Sequence, residues 1–238
     1  MGQAVTKVAS ERLDCAIVGG VSKKTNTQTG FPIVEAFSKL NVEADVIIDF
    51  SNPELIEPLL SYALTNRLPA VICTTGFNED QIKKIKAASE RIPIFFSSNM
   101  SLGVNLMLSL AQIAAKVLYP AFDMEIVEKH HNKKIDAPSG TALMLVDAVK
   151  LGLKQNMECV YDRHPCKKSR SKNEIGIHSV RGGTIVGEHE IIFAGKDEVL
   201  KISHTALSKE IFAVGAVNAA SFVISKPVGL YNMSDMLR

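Results

Sequence analysis

Asp45-Val46-Ile47-Ile48-Asp49-Phe50-Ser51-Asn52-Pro53 decides how the first half of the chain is read. A short, continuous β-branched run that ends abruptly in turn residues reads as a strand buried on both faces, the kind that parallel sheets use. The same grammar recurs on either side, in Asp14-Cys15-Ala16-Ile17-Val18 upstream and in Ala70-Val71-Ile72-Cys73 and Ile92-Pro93-Ile94-Phe95-Phe96 downstream. Between these runs, residues 53–66 carry Leu55, Ile56, Leu59, Leu60 and Ala63 at helical spacing, and residues 78–91 carry Ile82, Ile85 and Ala88 likewise. Strand and helix in alternation predict an open α/β unit with a parallel sheet, whose ligands bind at the loops after the strand C-termini.

From about Ser101 the pattern changes. A long apolar helix over 104–118, a charged strand over 124–130 and a helix from Gly140 precede strand-like runs at 175–180, 184–193 and 199–204. That order predicts an α+β domain with a mainly antiparallel or mixed sheet. A last apolar helix over 208–224 returns to pack on one domain or the other. The expected division is residues 1–100 with 208–238, and residues 101–207.

Composition narrows the function classes. With 238 residues, 46% hydrophobic and 22% charged, the chain is an ordinary folded protein. Its 27 Lys+Arg against 25 Asp+Glu, a net charge of +2, argue against nucleic acid or an anionic membrane as partner. The late apolar stretch 213–224 is broken by Asn218 and Ser221 and is shorter than the roughly 18 to 20 residues of a bilayer span. Cys15, Cys73, Cys159 and Cys166 form no C-x-x-C pair, so neither a disulfide framework nor a metal site is expected, and a reducing, cytoplasmic setting is. Small-molecule chemistry is what remains.

The densest polar cluster joins the charged strand to the helix that follows it: Glu125-Ile126-Val127-Glu128-Lys129-His130-His131-Asn132-Lys133-Lys134-Ile135-Asp136-Ala137-Pro138-Ser139-Gly140-Thr141-Ala142-Leu143. Pro138-Ser139-Gly140-Thr141 reads as a helix start, where amides without intrahelical partners hold a carboxylate or phosphate. His130, His131 and Lys134 stand just upstream as cationic donors and, in the histidines, titratable acids. The plainer alternative is that Ser139 or Asp136 is an N-cap and the basic run a solvated loop.

Thr74-Thr75-Gly76-Phe77 and Ser98-Asn99-Met100-Ser101 follow the third and fourth strand runs. They suit a nicotinamide ring and its carboxamide, or they are plain βα turns. Gly19-Gly20 is a weak glycine signal, as no G-x-G-x-x-G exists in the chain. If the 14–18 strand is the second of a Rossmann unit, Ser22-Lys23-Lys24 stands where an acidic residue would take an NAD ribose and favours a 2′-phosphate and NADPH; otherwise the two lysines are a solvated loop. Arg163, Lys167, Lys168, Arg170 and Lys172 lack interleaved aromatics and read as a solvated loop near an anionic ligand.

The 125–142 stretch resembles the signature of the 4-hydroxy-tetrahydrodipicolinate reductase (dihydrodipicolinate reductase) family. Asp45-Val46-Ile47-Ile48-Asp49-Phe50-Ser51, Cys73-Thr74-Thr75-Gly76-Phe77, Ser98-Asn99-Met100-Ser101-Leu102-Gly103-Val104-Asn105, Ser179-Val180-Arg181-Gly182-Gly183, Gly187-Glu188-His189 and Phe212-Ala213-Val214-Gly215-Ala216 fall in family order. The resemblance covers essentially the whole chain. It implies a Rossmann-like cofactor domain and a substrate domain that also builds a homotetramer. The implied activity is NADPH- or NADH-dependent reduction of a cyclic dicarboxylate in the lysine and diaminopimelate route. By position, His130 resembles the catalytic acid and Lys134 its partner. His131, Lys134, Gly140 and Thr141 match substrate carboxylate contacts, and Phe50, Thr75, Gly76, Ser98 and Met100 match the cofactor side, which Lys23 joins. The family opens with a strand and a glycine-rich loop, whereas Met1-Gly2-Gln3-Ala4-Val5 resembles the end of that motif. A misassigned start or a fragment is therefore expected, and the competing class is a non-catalytic relative that binds a dicarboxylate or assembles without NADPH. Lys209 stands where the family more often has Arg, which keeps the charge and loses the bidentate fork, and Cys73 replaces a glycine.

Overall fold

The computed structural model describes residues 1–23 and 29–237. Lys24, read with Lys23 as a phosphate contact, lies outside the described residues. In chain order the elements are α1 (Gly2–Ser10), β1 (Gly20–Val21), β2 (Ile33–Val34), β3 (Ile47–Asp49), α2 (Ile56–Asn66), β4 (Ala70–Ile72), α3 (Glu79–Ser89), β5 (Pro93–Phe96) and α4 (Leu102–Leu118). There follow β6 (Asp123–His130), α5 (Gly140–Leu153), β7 (Glu158–Val160), β8 (Glu174–Arg181), β9 (Gly187–Ala194), β10 (Val199–Ala206), α6 (Glu210–Val223), β11 (Gly229–Tyr231) and α7 (Met233–Met236). They form two compact units, Met1–Ser101 with Glu210–Arg238, and Leu102–Lys209.

The first unit is built on a parallel sheet of order β11-β5-β4-β3, with Ile47 beside Ala70 and Ala70 beside Ile94. The middle strand β4 is buried along its whole length, as a run of Ala-Val-Ile requires when both faces are covered. Ile56, Leu59 and Ala63 of α2 and Ile85 and Ala88 of α3 pack with Ala70, Ile72 and Ile94. Val5 and Val8 of α1 pack with Ala213 and Val217 of α6, and Ile48 and Phe50 lie against that cluster. Each large aliphatic side chain so buried contributes about 1.5–3 kcal/mol. Local chemistry sets the helix starts. Asn52 accepts the Glu54 amide ahead of Pro53, and Asn78 and Gln81 close a reciprocal capping box on α3. Gly215 lets α6 approach the loop after β5, because a Cβ there would stand 1.7 Å from the Met100 carbonyl oxygen.

Two elements differ from expectation. The 14–18 run forms no strand, since no backbone ladder partner lies beside it among the described residues. The pairing comes after it, in the two-residue parallel pair β1–β2. At the far end, β11 adds an edge strand to β5 from a three-residue run with no signal of its own.

The second unit holds a five-stranded sheet of order β10-β9-β6-β8-β7. It is mixed, one of the two forms expected: β10–β9 and β9–β6 run antiparallel, while β6–β8 and β8–β7 run parallel. The β9 strand starts at Gly187, three residues later than the sequence suggests. Helices α4 and α5 cover one face, burying Met107, Ala111, Leu145 and Val149 on Met124, Ile126, Ile191 and Phe193. The opposite face carries Lys129, Glu188, Val199 and Lys201, and among the described residues of this unit no helix packs on it. The basic loop is not simply solvated, for Arg170 bonds Asp123, Glu125 and the Met124 and Glu174 carbonyls, and Arg163 pairs with Glu174. Lys167, Lys168 and Lys172 are exposed. No helix of the described residues is long and apolar enough to cross a membrane. All four cysteines are free.

Candidate active site

Strand β6 alternates, so Met124, Ile126, Glu128 and His130 share its helix-covered face. The first two are core. The last two turn the end of that core polar, with Glu128 fully buried. Its Oε2 lies 2.6 Å from His130 Nδ1. Arg181, opposite His130 in the β6–β8 register, donates Nη1 to Oε2 at 2.8 Å and Nη2 to Oε1 at 2.7 Å. The Ser139 amide donates to Oε1 at 3.1 Å. Burial alone would push this carboxyl up, but the bonds from Arg181, His130 and Ser179 outweigh it and hold the group at about 2. An ionised carboxylate only accepts, which places a hydrogen on His130 Nδ1 and leaves Nε2 as the working nitrogen. A Cβ on Gly187 would stand 3.1 Å from that Nε2, so the glycine keeps the approach to it clear.

His189 lies edge-on to His130, ring centroids 5.1 Å apart. Burial, and after it the neighbouring His130, lowers His189 to about 4, so it is a neutral imidazole at neutral pH. Ser139 Oγ accepts the Ala142 amide at 3.1 Å and shares a hydrogen bond with His189 Nε2 at 2.8 Å. Ser139, not Asp136, is thus the N-cap of α5. Gly140 opens the helix in open space, with nothing within 4 Å of where a Cβ would be, and Thr141 follows half-buried.

The turn between β6 and α5 is tied at both ends. Gly182 donates its amide to the His130 carbonyl at 2.9 Å, and Asn132 to the Gly183 carbonyl at 3.3 Å. Lys134 Nζ sits 2.8 Å from both oxygens of Asp136, and that hydrogen bond holds Asp136 below its usual range. Arg181 Nη2 also donates to the Asp136 carbonyl at 2.7 Å. His131, half-buried just past the strand, keeps its Nδ1 buried without a hydrogen-bond partner. Of the five expected residues, His130 bonds the buried carboxylate, Gly140 and Thr141 follow Ser139, whose amide that carboxylate accepts, Lys134 is paired with Asp136, and His131 makes no bond to Glu128.

In the first unit, Thr75 and Gly76 follow β4 and Ser98 follows the adjacent β5, all exposed at the C-terminal edge of the sheet. The Ser97 amide bonds the Ile72 carbonyl and the Cys73 amide the Asp49 carbonyl, drawing the loops after β3, β4 and β5 together. Two features fit a dinucleotide at that edge. Thr74 Oγ1 is buried with no hydrogen-bond partner, and Gly76 has φ +85 with only Pro53 near its absent Cβ. Phe50 lies against the α1–α6 cluster, and the Met100 side chain is 2% exposed, which leaves its backbone for any ligand. Lys23 is exposed beyond β1, outside this group of loops.

Residues 1–100 match the model of the dihydrodipicolinate reductase N-terminus, and residues 103–237 that of the C-terminus. The chain belongs to the dihydrodipicolinate reductase family. It is 51% identical over 238 residues to the 4-hydroxy-tetrahydrodipicolinate reductase of Caldanaerobacter subterraneus, covering 100% of this chain and 94% of the relative. The corresponding protein of Clostridium tetani is 47% identical over 237 residues, with 100% and 92% covered. Among solved structures, dipicolinate-bound dihydrodipicolinate reductase from Paenisporosarcina sp. TG-14 superposes with a TM-score of 0.81 at 23% identity, covering 97% of this chain and 92% of that one. The amine dehydrogenase of Mycobacterium smegmatis shares the fold at a TM-score of 0.62 and 11% identity, with 97% and 91% covered.

The dihydrodipicolinate reductase family uses NAD(P)H through its Rossmann-like N-terminal domain. Glu128, Arg181 and His189 escaped the sequence reading as site residues. A signal for the first was present: Glu128-x-His130 on a strand puts both side chains on one face.

Proposed function

We propose that this dihydrodipicolinate reductase converts 4-hydroxy-tetrahydrodipicolinate to tetrahydrodipicolinate with loss of water, in lysine and diaminopimelate biosynthesis. The observation that carries the reading is His130, fixed through Nδ1 by a buried carboxylate and open at Nε2 beside the N-terminus of α5. One substrate carboxylate rests on the Gly140 and Thr141 amides, where the helix end is positive. Lys134 and His131 supply further donors to the carboxylates. NADPH or NADH, held by Phe50, Thr75, Gly76, Ser98 and the Met100 backbone, supplies the hydride when bound. Loss of the 4-hydroxyl and a ring proton as water leaves a conjugated ring; hydride delivered to one of its carbons would build negative charge on the conjugate partner, and His130 in its imidazolium form, Nδ1–H still on Glu128, gives its Nε2 proton to quench it. Lys134 steadies that charge. Lys23 beyond β1 favours NADPH over NADH.

The uncovered face of the five-stranded sheet is the surface through which copies of the chain pair into a homotetramer. The setting is cytoplasmic. The test is the loss of NADPH absorbance with substrate made in situ from pyruvate and aspartate semialdehyde by a separate synthase. Turnover abolished by dipicolinate is the expected result. Dipicolinate binding without turnover would overturn the reductase reading in favour of a non-catalytic dicarboxylate binder.

A further inference from the structure

We infer that the Glu128–Arg181 pair is the positioning unit of this site, one buried carboxylate–guanidinium fork that sets the acid, the lysine turn and the anion-binding helix end together. The inference rests on the role proposed for His130. Glu128 reaches the acid through Oε2 and the α5 terminus through the Ser139 amide on Oε1. Arg181 closes the fork on both oxygens and extends Nη2 to the Asp136 carbonyl, inside the turn that carries Lys134. The end of β6, the turn and the start of α5 thus meet on two side chains from neighbouring parallel strands.

Stability alone does not account for the pair. A buried ion pair gains little over apolar side chains of similar volume, and the same face of β6 is apolar two and four residues earlier, at Ile126 and Met124. What Met or Leu at 128 and 181 could not do is define which imidazole nitrogen carries hydrogen and hold the turn to the helix end. Both residues act through others, so they are positioning residues and not catalytic ones.

Two variants separate the roles. In Glu128→Gln every amide orientation faces a donor with a donor: an NH2 group at Oε2 meets Arg181 Nη1, and at Oε1 it meets the Ser139 amide. In Arg181→Lys the charge stays while the fork is lost. The readouts are the His130 tautomer, by long-range 15N–1H spectra assigned with His130→Gln, and steady-state kinetics. Expected for Glu128→Gln is loss of the Nδ1–H tautomer with kcat down about 10² -fold and NADPH affinity unchanged. Expected for Arg181→Lys is the wild-type tautomer with a KM for substrate raised about tenfold and weakened dipicolinate binding. A lower thermal midpoint with wild-type tautomer and kinetics in both would make the pair purely structural and overturn the inference. If Glu128→Gln does not fold, the KM and dipicolinate arms of Arg181→Lys decide alone. A wild-type chain that turns over no substrate refutes the proposed function, whereas the tautomer and its dependence on Glu128 still test the inference.

Discussion

His189 makes the second unit sensitive to acid, and the size of the effect follows from its surroundings. The side chain is 6% exposed, is hydrogen-bonded to Ser139, and is lowered from an ordinary 6.5 to about 4 by burial and then by His130. A lowered histidine is neutral in the folded chain at pH values where the unfolded chain is already protonated. Its contribution to stability is therefore complete above about 6.5 and is lost as pH falls from there to about 4. At about 1.4 kcal/mol per pH unit, that interval is worth about 3 kcal/mol. Glu128 acts in the same direction in a lower window. Its carboxyl, ordinarily at 4.5, is held at about 2, so its contribution is present above 4.5 and lost as pH falls further.

The two windows meet near pH 4.5, which makes them separable. Urea unfolding followed by circular dichroism from pH 7 to 4.5 is expected to show a loss of about 2–3 kcal/mol in the wild type. In His189→Gln, whose amide offers Ser139 either a donor or an acceptor, most of that loss disappears, and a smaller slope of the same sign remains from His204, also lowered by burial. Protonated His189 Nε2 is a donor to Ser139 Oγ, whose second lone pair still accepts the Ala142 amide, so the α5 N-cap is retained. Parallel stability curves for the two proteins would refute the reasoning, because His189 would then titrate as an exposed histidine does.

Gly187→Ala sets a methyl 3.1 Å from His130 Nε2, and the ring cannot retreat while Nδ1 is bonded to Glu128 at 2.6 Å. A displacement of a few tenths of an ångström is expected to lower kcat about tenfold with the thermal midpoint nearly unchanged, and unaltered kinetics would show that the ring can move. His130→Gln is expected to lower kcat by about 10² to 10⁴ with NADPH affinity retained, and a near-wild-type kcat would remove it from the acid's role. Ser139→Ala takes the cap from the Ala142 amide and the hydrogen-bond partner from His189. Calorimetry is expected to show a loss of about 1–3 kcal/mol, together with weaker dipicolinate binding.

What the sequence reveals here depends on how local the determining physics is. Ala70-Val71-Ile72 declares a strand buried on both faces by composition alone, and Pro138-Ser139-Gly140-Thr141 declares a helix start, because capping and an open amide need only neighbouring residues. Cys15-Ala16-Ile17-Val18 has the same composition as a strand and is not one, since a ladder needs a second chain segment alongside, and no property of the run says whether one is there. The three residues of β11 are the converse case, paired by β5 from far along the chain. The same divide runs through the site. His130, Lys134 and Gly140 lie within one stretch and were legible together, whereas Arg181 reaches Glu128 across 53 positions and His189 reaches Ser139 across 50. Only the register of β8 and β9 against β6 brings those partners in. One clue does survive at the level of sequence. The buried face of β6 runs Met124, Ile126, Glu128, His130, and an ionisable pair continuing an apolar face needs buried partners to be tolerated. A strand whose core side turns charged at its C-terminal end therefore points to an arginine on an adjacent strand, and through it to the site that the pair holds in place.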